Sequence, residues 1–351
     1  MFKIKQEHEK YIKRTFQLAR LSFGAAAPNP MVGAVLRFED RIIGEGYFKT
    51  YGIDHNHAEV NAINSVQEKD KKLVPFSTLY VSLEPCNFFG KTPPCTSLIL
   101  KNKIPRVVIS TIDKTPQVSG NGIALLKENG VEVITRVFEK EGDELVQIRT
   151  NYVQNKSPYI ILKFAQSKDG FLGQKNKSVW ITNPVTKRLV HKWRKESQAI
   201  MVGTNTAKQD NPKLTNRLYF GKSPLRIVLD RENKLPDSLH LFSDGNPTWH
   251  ITENASRTFS NKNVKSKEFI FDDMLLENLL QALHEFKIGS LIVEGGAQLL
   301  HSFLEKGLWH EARVLEGDMI LGKGIEAPKF SSAAEHSFEI DNDILKIYRN
   351  Q

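Results

Sequence analysis

Cysteine is nearly absent: the 351 residues contain two, Cys86 and Cys95. A secreted disulfide framework uses more thiols, spread along the chain, so that class is excluded and a reducing, cytoplasmic setting is expected. Long apolar runs are missing as well. No stretch approaches the ~20 residues needed to cross a bilayer, so no membrane partner is expected. The N-terminus reads Met-Phe-Lys-Ile-Lys and becomes charged from Glu7 to Lys13, which is neither a signal peptide nor a transit sequence. Internal repeats and low-complexity segments are also lacking. Finally, no block of charge of one sign occurs. The net charge of +9 divides into 21 basic and 17 acidic residues over 1–150, and 28 and 23 over 151–351. A polynucleotide footprint is a patch or stripe. An even spread predicts no nucleic-acid partner, and a small phosphorylated substrate needs only a few of these cations.

What is present is an ordinary globular composition, 40% hydrophobic and 25% charged, in a chain long enough for two domains. Strand and helix signals alternate through both halves. An amphipathic helix is expected from about Glu7 to Leu21, stopping before Pro28-Asn29-Pro30. A hairpin follows, pairing Val32–Leu36 with Arg41–Ile43 around Glu39-Asp40. A helix begins near His57. Thr78 to Leu83 reads as a buried strand ending in Glu84-Pro85-Cys86, with another helix after Pro94. Further elements are expected at Arg106–Ser110, Ile123–Glu128 and Val131–Ile134. Phe138 to Lys156 reads as a helical connection closed by Ser157-Pro158. In the second half, strands are expected at Tyr159–Phe164, Ala199–Val202, Leu225–Asp230, Thr248–Ile251, Ser290–Val293 and Ala312–Leu315. Helices are expected at Pro184–Lys195, Met274–Phe286 and Ala297–Glu305. Such alternation implies helix-covered sheets, an α/β class, in domains spanning 1–150 and 151–351.

The chemistry-bearing residues of the first half are His57-Ala58-Glu59 and the run from Pro85-Cys86 to Pro94-Cys95. One imidazole and two thiolates, His57, Cys86 and Cys95, leave a fourth tetrahedral zinc position open to water, which is the catalytic pattern. Glu59 stands beside a ligand without being one, placed to carry protons while water replaces an exocyclic amine on a ring carbon. The usual deaminase signature puts two residues between its cysteines, whereas eight, Asn87 to Pro94, separate them here. Each residue alone has a plainer account: buried thiols, a helix-start histidine, a solvated glutamate. A structural zinc site with a fourth ligand, for which His55 is the nearest candidate, is a middle reading.

The chain resembles the bifunctional deaminase–reductase family of riboflavin biosynthesis. The residues that carry the resemblance are Pro28-Asn29-Pro30-Met31-Val32-Gly33, His57-Ala58-Glu59 and Gly90-Lys91-Thr92-Pro93-Pro94-Cys95, with the eight-residue gap. In the second half they are Lys163–Gly170, Trp180-Ile181-Thr182, Val202-Gly203-Thr204 and Asp210-Asn211-Pro212 through Arg217. The resemblance implies a cytidine-deaminase-like three-layer α/β/α domain followed by a dihydrofolate-reductase-like α/β domain. It implies zinc and NADPH as cofactors and a phosphorylated pyrimidine as substrate, and it allows a homo-oligomer. By the same resemblance Ala165, Trp180, Thr206, Asp210 and the run Gly296, Ala297, Gln298, Leu299, Leu300, His301 and Ser302 contact the dinucleotide. Asn29, Ser178, Arg194, Leu214, Arg217 and Glu294 hold substrate. Guanidinium groups at Arg194 and Arg217 suit a phosphate. Gly295-Gly296, between a strand and a helix, lets backbone approach a phosphate, although the full Gly-x-Gly-x-x-Gly fingerprint is missing.

Four features depart from the family pattern. Phe48 stands where the family has histidine, and the stretch Gly52–Asn56 is longer than usual. Thr115 replaces a common asparagine, and Lys168 a usual apolar residue. Two other arrangements compete with this reading: an RNA-editing deaminase with a C-terminal RNA-binding region, and a non-catalytic zinc-stabilised interaction module.

Overall fold

The computed structural model describes residues 2–49, 56–90, 92–116, 118–174 and 179–350. Two compact units emerge, residues 1–156 and 157–351. Among the described residues no helix is long and apolar enough to cross a membrane.

The first unit runs α1 (Phe2–Ala19), β1 (Gly33–Phe38), β2 (Arg41–Tyr47), α2 (Ala58–Asn64), β3 (Thr78–Leu83), α3 (Cys95–Lys101), β4 (Arg106–Thr111), α4 (Asn121–Glu128), β5 (Glu132–Ile134) and α5 (Glu139–Gln154). Its sheet has the order β2-β1-β3-β4-β5. The first three strands pair antiparallel and the last three parallel. Because side chains alternate across a strand, two glycine positions define the layers. A Cβ on Gly33 would overlap the backbone of α1 at Thr15 and Ala19. One on Gly46, which pairs with Ala34 in the next register position, would overlap α2 at Ala58 and Ala62. Helices thus cover both faces, giving the expected α/β/α arrangement. Ile12, Phe16, Leu36, Leu79, Val81 and Val107 are buried between the layers.

The second unit contains β6 (Tyr159–Gln166), β7 (Phe171–Gly173), α6 (Pro184–Glu196), β8 (Ala199–Val202), α7 (Thr204–Asp210), β9 (Leu225–Leu229), α8 (His240–Ser243), β10 (Thr248–Thr252), β11 (Val264–Glu268), α9 (Leu275–Glu285), β12 (Ser290–Val293), α10 (Ala297–Glu305), β13 (Glu311–Glu316), β14 (Ile325–Glu326), β15 (His336–Ile340) and β16 (Asp343–Arg349). A nine-stranded sheet has the order β11-β10-β9-β8-β12-β6-β13-β16-β15. It is parallel from β11 to β13 and antiparallel through β16 and β15. Central strands such as β6 and β12 read as continuous apolar runs because both faces are covered. Helix α6 starts where Asn183 accepts the Thr186 N–H, with Pro184 at the first helical position.

Several elements were not expected from sequence. The hairpin β15–β16 turns at Asp341, whose φ is +58°, beside Asn342. Its outer strand His336–Ile340 is largely exposed, and its only apolar pair, Phe338 and Ile340, is too short a pattern to mark a strand. Helix α7, strands β7, β11 and β14, and the 3-10 segment Glu68–Phe76 are likewise short or polar.

Candidate active sites

In the first unit, His57 caps α2 in an extended conformation and Glu59 lies in the first turn of that helix. Cys86 follows the end of β3, and Cys95 opens α3 behind Pro94. Across the eight-residue loop, the Cys95 N–H donates to Cys86 Sγ (3.4 Å) and the Thr96 N–H to the Cys86 carbonyl (3.1 Å). His57 Nδ1 then lies 3.5 Å from Cys86 Sγ and 3.3 Å from Cys95 Sγ, and all three ligand atoms fall within 4.8 Å of one another. Tetrahedral zinc with ordinary Zn–N and Zn–S bonds requires N···S edges of about 3.6 Å. The donor set fits zinc. Among the described residues no further His, Cys or carboxylate joins the cluster; His55 lies outside the described residues.

Charge in this site is unevenly shared. The Cys86 thiol is lowered to about 4 by its hydrogen bond with Cys95 and, against burial, by His57. Cys95 is held up by the same bond and by burial. Glu59 is 3% exposed, and burial raises its pKa while the His57 ring opposes the shift. A carboxyl so placed is suited to hold a proton and give it up.

Glu84, which precedes Pro85-Cys86, had no assigned role in the sequence reading. Its buried carboxylate accepts backbone N–H groups from Asp113 (3.3 Å), Gly120 (2.9 Å), Gly122 (3.0 Å) and Ile123 (3.3 Å). It pins the segment entering α4 to a position two residues before Cys86. Glu84→Ala strands four donors and is expected to cost about 3 kcal/mol, at 1–3 kcal/mol for each donor left unpaired but with partial relaxation. By calorimetry the first unit should melt about 6–12 °C lower.

In the second unit, a cleft of about 1290 Å³ opens at the carboxyl ends of β6, β8, β9 and β12. That is where open parallel sheets bind ligands. Its floor is charged. Glu294, directly after β12, accepts from Arg194 Nε (2.7 Å) and Nη2 (2.6 Å), and Lys163 Nζ lies 3.8 Å away. Arg194 Nη1 donates to the Thr215 carbonyl at 3.1 Å. Burial alone would raise the Glu294 pKa, but Arg194 and Lys163 draw it down to about 2. Burial lowers the pKa of Lys163, with Glu294 opposing. Arg217, at the cleft edge, has no hydrogen-bond or ion-pair partner among the described residues. Gly295 and Gly296, at φ +143° and +56°, turn the chain into α10 so that its first residues face the cleft.

Residues 5–111 match the cytidine and deoxycytidylate deaminase zinc-binding region, and residues 158–345 match the RibD C-terminal domain. The riboflavin biosynthesis protein RibD of Aquifex aeolicus is 38% identical over 326 residues, covering 92% of this chain and 90% of its own. The chain belongs to the RibD family. RibD of Bacillus amyloliquefaciens is 37% identical over 332 residues, 92% of this chain and 88% of its own. A solved diaminohydroxyphosphoribosylaminopyrimidine deaminase/5-amino-6-(5-phosphoribosylamino)uracil reductase from Thermotoga maritima is 34% identical and superposes with a TM-score of 0.89, covering 99% of each chain. Acinetobacter baumannii RibD, 27% identical, gives 0.85 over 99% of each. These matches favour neither the RNA-editing arrangement nor the non-catalytic zinc module.

On this RibD framework the expected residues fall as follows. Ala165, Trp180, Thr206, Asp210, Gly296, Ala297, Gln298, Leu299, Leu300 and Ser302 line the cleft, as do Arg194, Leu214, Arg217 and Glu294. His301 does not; it is exposed on α10, because the helix surface turns about 100° per residue and not every position of the run can face the cleft. Ser178 lies outside the described residues. Asn29 is exposed in the loop before β1, its N–H donated to Ala26. Arg194, expected to grip a phosphate, has most of its donors engaged by Glu294 and Thr215, whereas the Arg217 guanidinium has no partner among the described residues.

The sequence reading missed two residues of the second unit. His191 lines the cleft one turn before Arg194, and burial followed by Arg194 and Arg217 lowers it to about 4. The spacing of Lys187, His191 and Arg194 along one helix face was the available signal. Arg226 is fully buried and donates to the Lys213 carbonyl (3.1 Å), bracing the loop in which Leu214 adopts φ +52°. No sequence signal marks it.

Proposed function

We propose that the chain catalyses two consecutive steps of riboflavin biosynthesis. The first unit removes ammonia hydrolytically from 2,5-diamino-6-(5-phosphoribosylamino)pyrimidin-4(3H)-one. The second reduces the ribosyl side chain of the product to ribityl with NADPH. The observation that carries the reading is the trio His57, Cys86 and Cys95 at tetrahedral-edge distances, with buried Glu59 two residues from one of them.

His57, Cys86 and Cys95 would hold zinc, which supplies Lewis acidity and a nucleophile from water near neutral pH. Glu59 takes the proton released as water attacks the ring carbon, and returns protons to the ring nitrogen and the departing ammonia. Burial keeps bulk water from competing for that proton. In the second unit, Thr206, the turn at Gly296 and the amino end of α10 would hold the dinucleotide phosphates, and NADPH bound there supplies the reducing equivalents. Ionised Glu294 accepts N–H groups of the pyrimidine ring. Arg217 binds the substrate phosphate. Lys163, beside Glu294, is placed to give a proton to the sugar oxygen. Two reduced thiols suit a cytoplasmic enzyme.

The test uses zinc-replete protein and the diaminopyrimidinone. Stoichiometric ammonia is expected without NADPH, then NADPH oxidation once it is added. An absence of ammonia release overturns the deaminase assignment.

A further inference from the structure

We propose that Phe48 is a positioning residue of the zinc site: its ring meets the His57 imidazole edge to face and holds it toward the two thiolates. The proposal rests on the zinc reading above and deepens it.

Three local constraints bring these rings together. Glycines 44 and 46 lack the side chains that would keep α2 off β2, so the helix lies directly on the strand backbone. Asn61 Nδ2 then donates to the Tyr47 carbonyl (2.9 Å) and the Asn56 carbonyl (3.3 Å), tying the end of β2 to the start of α2. The Phe48 N–H donates to the Val32 carbonyl at 2.9 Å, so the residue just past β2 is held in line with the sheet. Its side chain packs against the first unit's core. The outcome is a ring contact with centroids 6.0 Å apart and planes at 74°.

A metal-binding histidine normally donates its second N–H to a carboxylate or carbonyl, which fixes the ring orientation. His57 Nδ1 faces Cys86 and Cys95, and among the described residues Nε2 has no hydrogen-bond partner. The edge contact with Phe48 therefore does the work otherwise done by that hydrogen bond. Without it the imidazole gains freedom to rotate, and part of the cost of ordering it is moved onto metal binding. An aromatic pair of this geometry corresponds to about a 2- to 10-fold change in a dissociation constant.

The experiment compares full-length wild type with F48A, F48L and F48Y. Zinc affinity is read by competition with a chromogenic chelator, the ligand field from the visible bands of the cobalt-substituted proteins, and the fold from thermal melting. Wild type and F48Y should hold one zinc with the same affinity. F48A and F48L should lose zinc about 2- to 10-fold more readily with altered cobalt bands. F48L keeps apolar bulk, so it should melt close to wild type and separates ring orientation from core packing. Wild-type zinc affinity and an unchanged cobalt spectrum in folded F48L would overturn the role of Phe48. Failure of the wild type to bind zinc would instead overturn the zinc reading on which it rests.

Discussion

Glu59→Gln is expected to lower ammonia release by at least about 10³-fold, within the range that a positioned general acid–base contributes. Glutamine preserves the size and the hydrogen-bonding outline of the side chain but cannot take up a proton. Glu59 is not one of the clustered ligand atoms, so zinc content should stay at one per chain. Reduction of the separately supplied deaminated intermediate should stay within about twofold of wild type, because the cleft proposed for it belongs to another unit. Ammonia quantitation and NADPH absorbance on the same preparation check both halves. A folded Glu59→Gln protein that loses both activities would contradict the division into two sites.

Glu294→Ala is expected to abolish reduction and to destabilise the second unit by about 3–5 kcal/mol, the usual cost of removing one member of a buried ion pair. The Arg194 guanidinium would remain charged on the floor of the cleft with its two shortest hydrogen bonds gone, and Lys163 would lose the group that opposes the lowering of its pKa by burial. The pH dependence has a definite sign. Glu294 has a folded-state pKa of about 2, below the ordinary carboxylate value of 4.5. Its contribution is therefore fully present above about pH 4.5 and is lost as pH falls toward 2. Urea unfolding at pH 7 and pH 3 should show a wild-type advantage over Glu294→Ala that narrows in acid. Deamination by the first unit should continue in the variant. An unchanged unfolding midpoint at pH 7 would mean that Glu294 does not carry the charge balance described.

How much was legible beforehand follows from how local each feature is. The strand Thr78–Leu83 and the helix Ala297–Glu305 occur with the expected bounds, since an apolar run or a 3.6-residue period is written within the element itself. The gathering of His57, Cys86 and Cys95 was equally legible, because each sits at an element boundary marked by proline or by the His-x-Glu spacing. The outer hairpin β15–β16 was not, since its exposed strand His336–Ile340 offers only two alternating apolar residues and is held by its neighbour's backbone. The run Gly296–Ser302 was legible only as a contiguous segment; on a helix surface that turns about 100° per residue, His301 falls outside the cleft lining.

Residue types and spacings alone settled the α/β class, the two-part organisation, and the presence of a zinc-type donor set with a carboxylate beside it. Those features depend on period, on turn-forming residues and on the chemistry of a few side chains. Only the folded chain decided that Arg194 is spent on Glu294, a hundred positions away, and that Arg217 is left without a partner among the described residues. It also decided that Arg226 braces the loop holding Leu214, that four distant backbone N–H groups converge on Glu84, and that Phe48 meets His57. Each of these is a contact between segments that only the tertiary fold brings together. A pairing of that kind leaves no periodic trace in either partner.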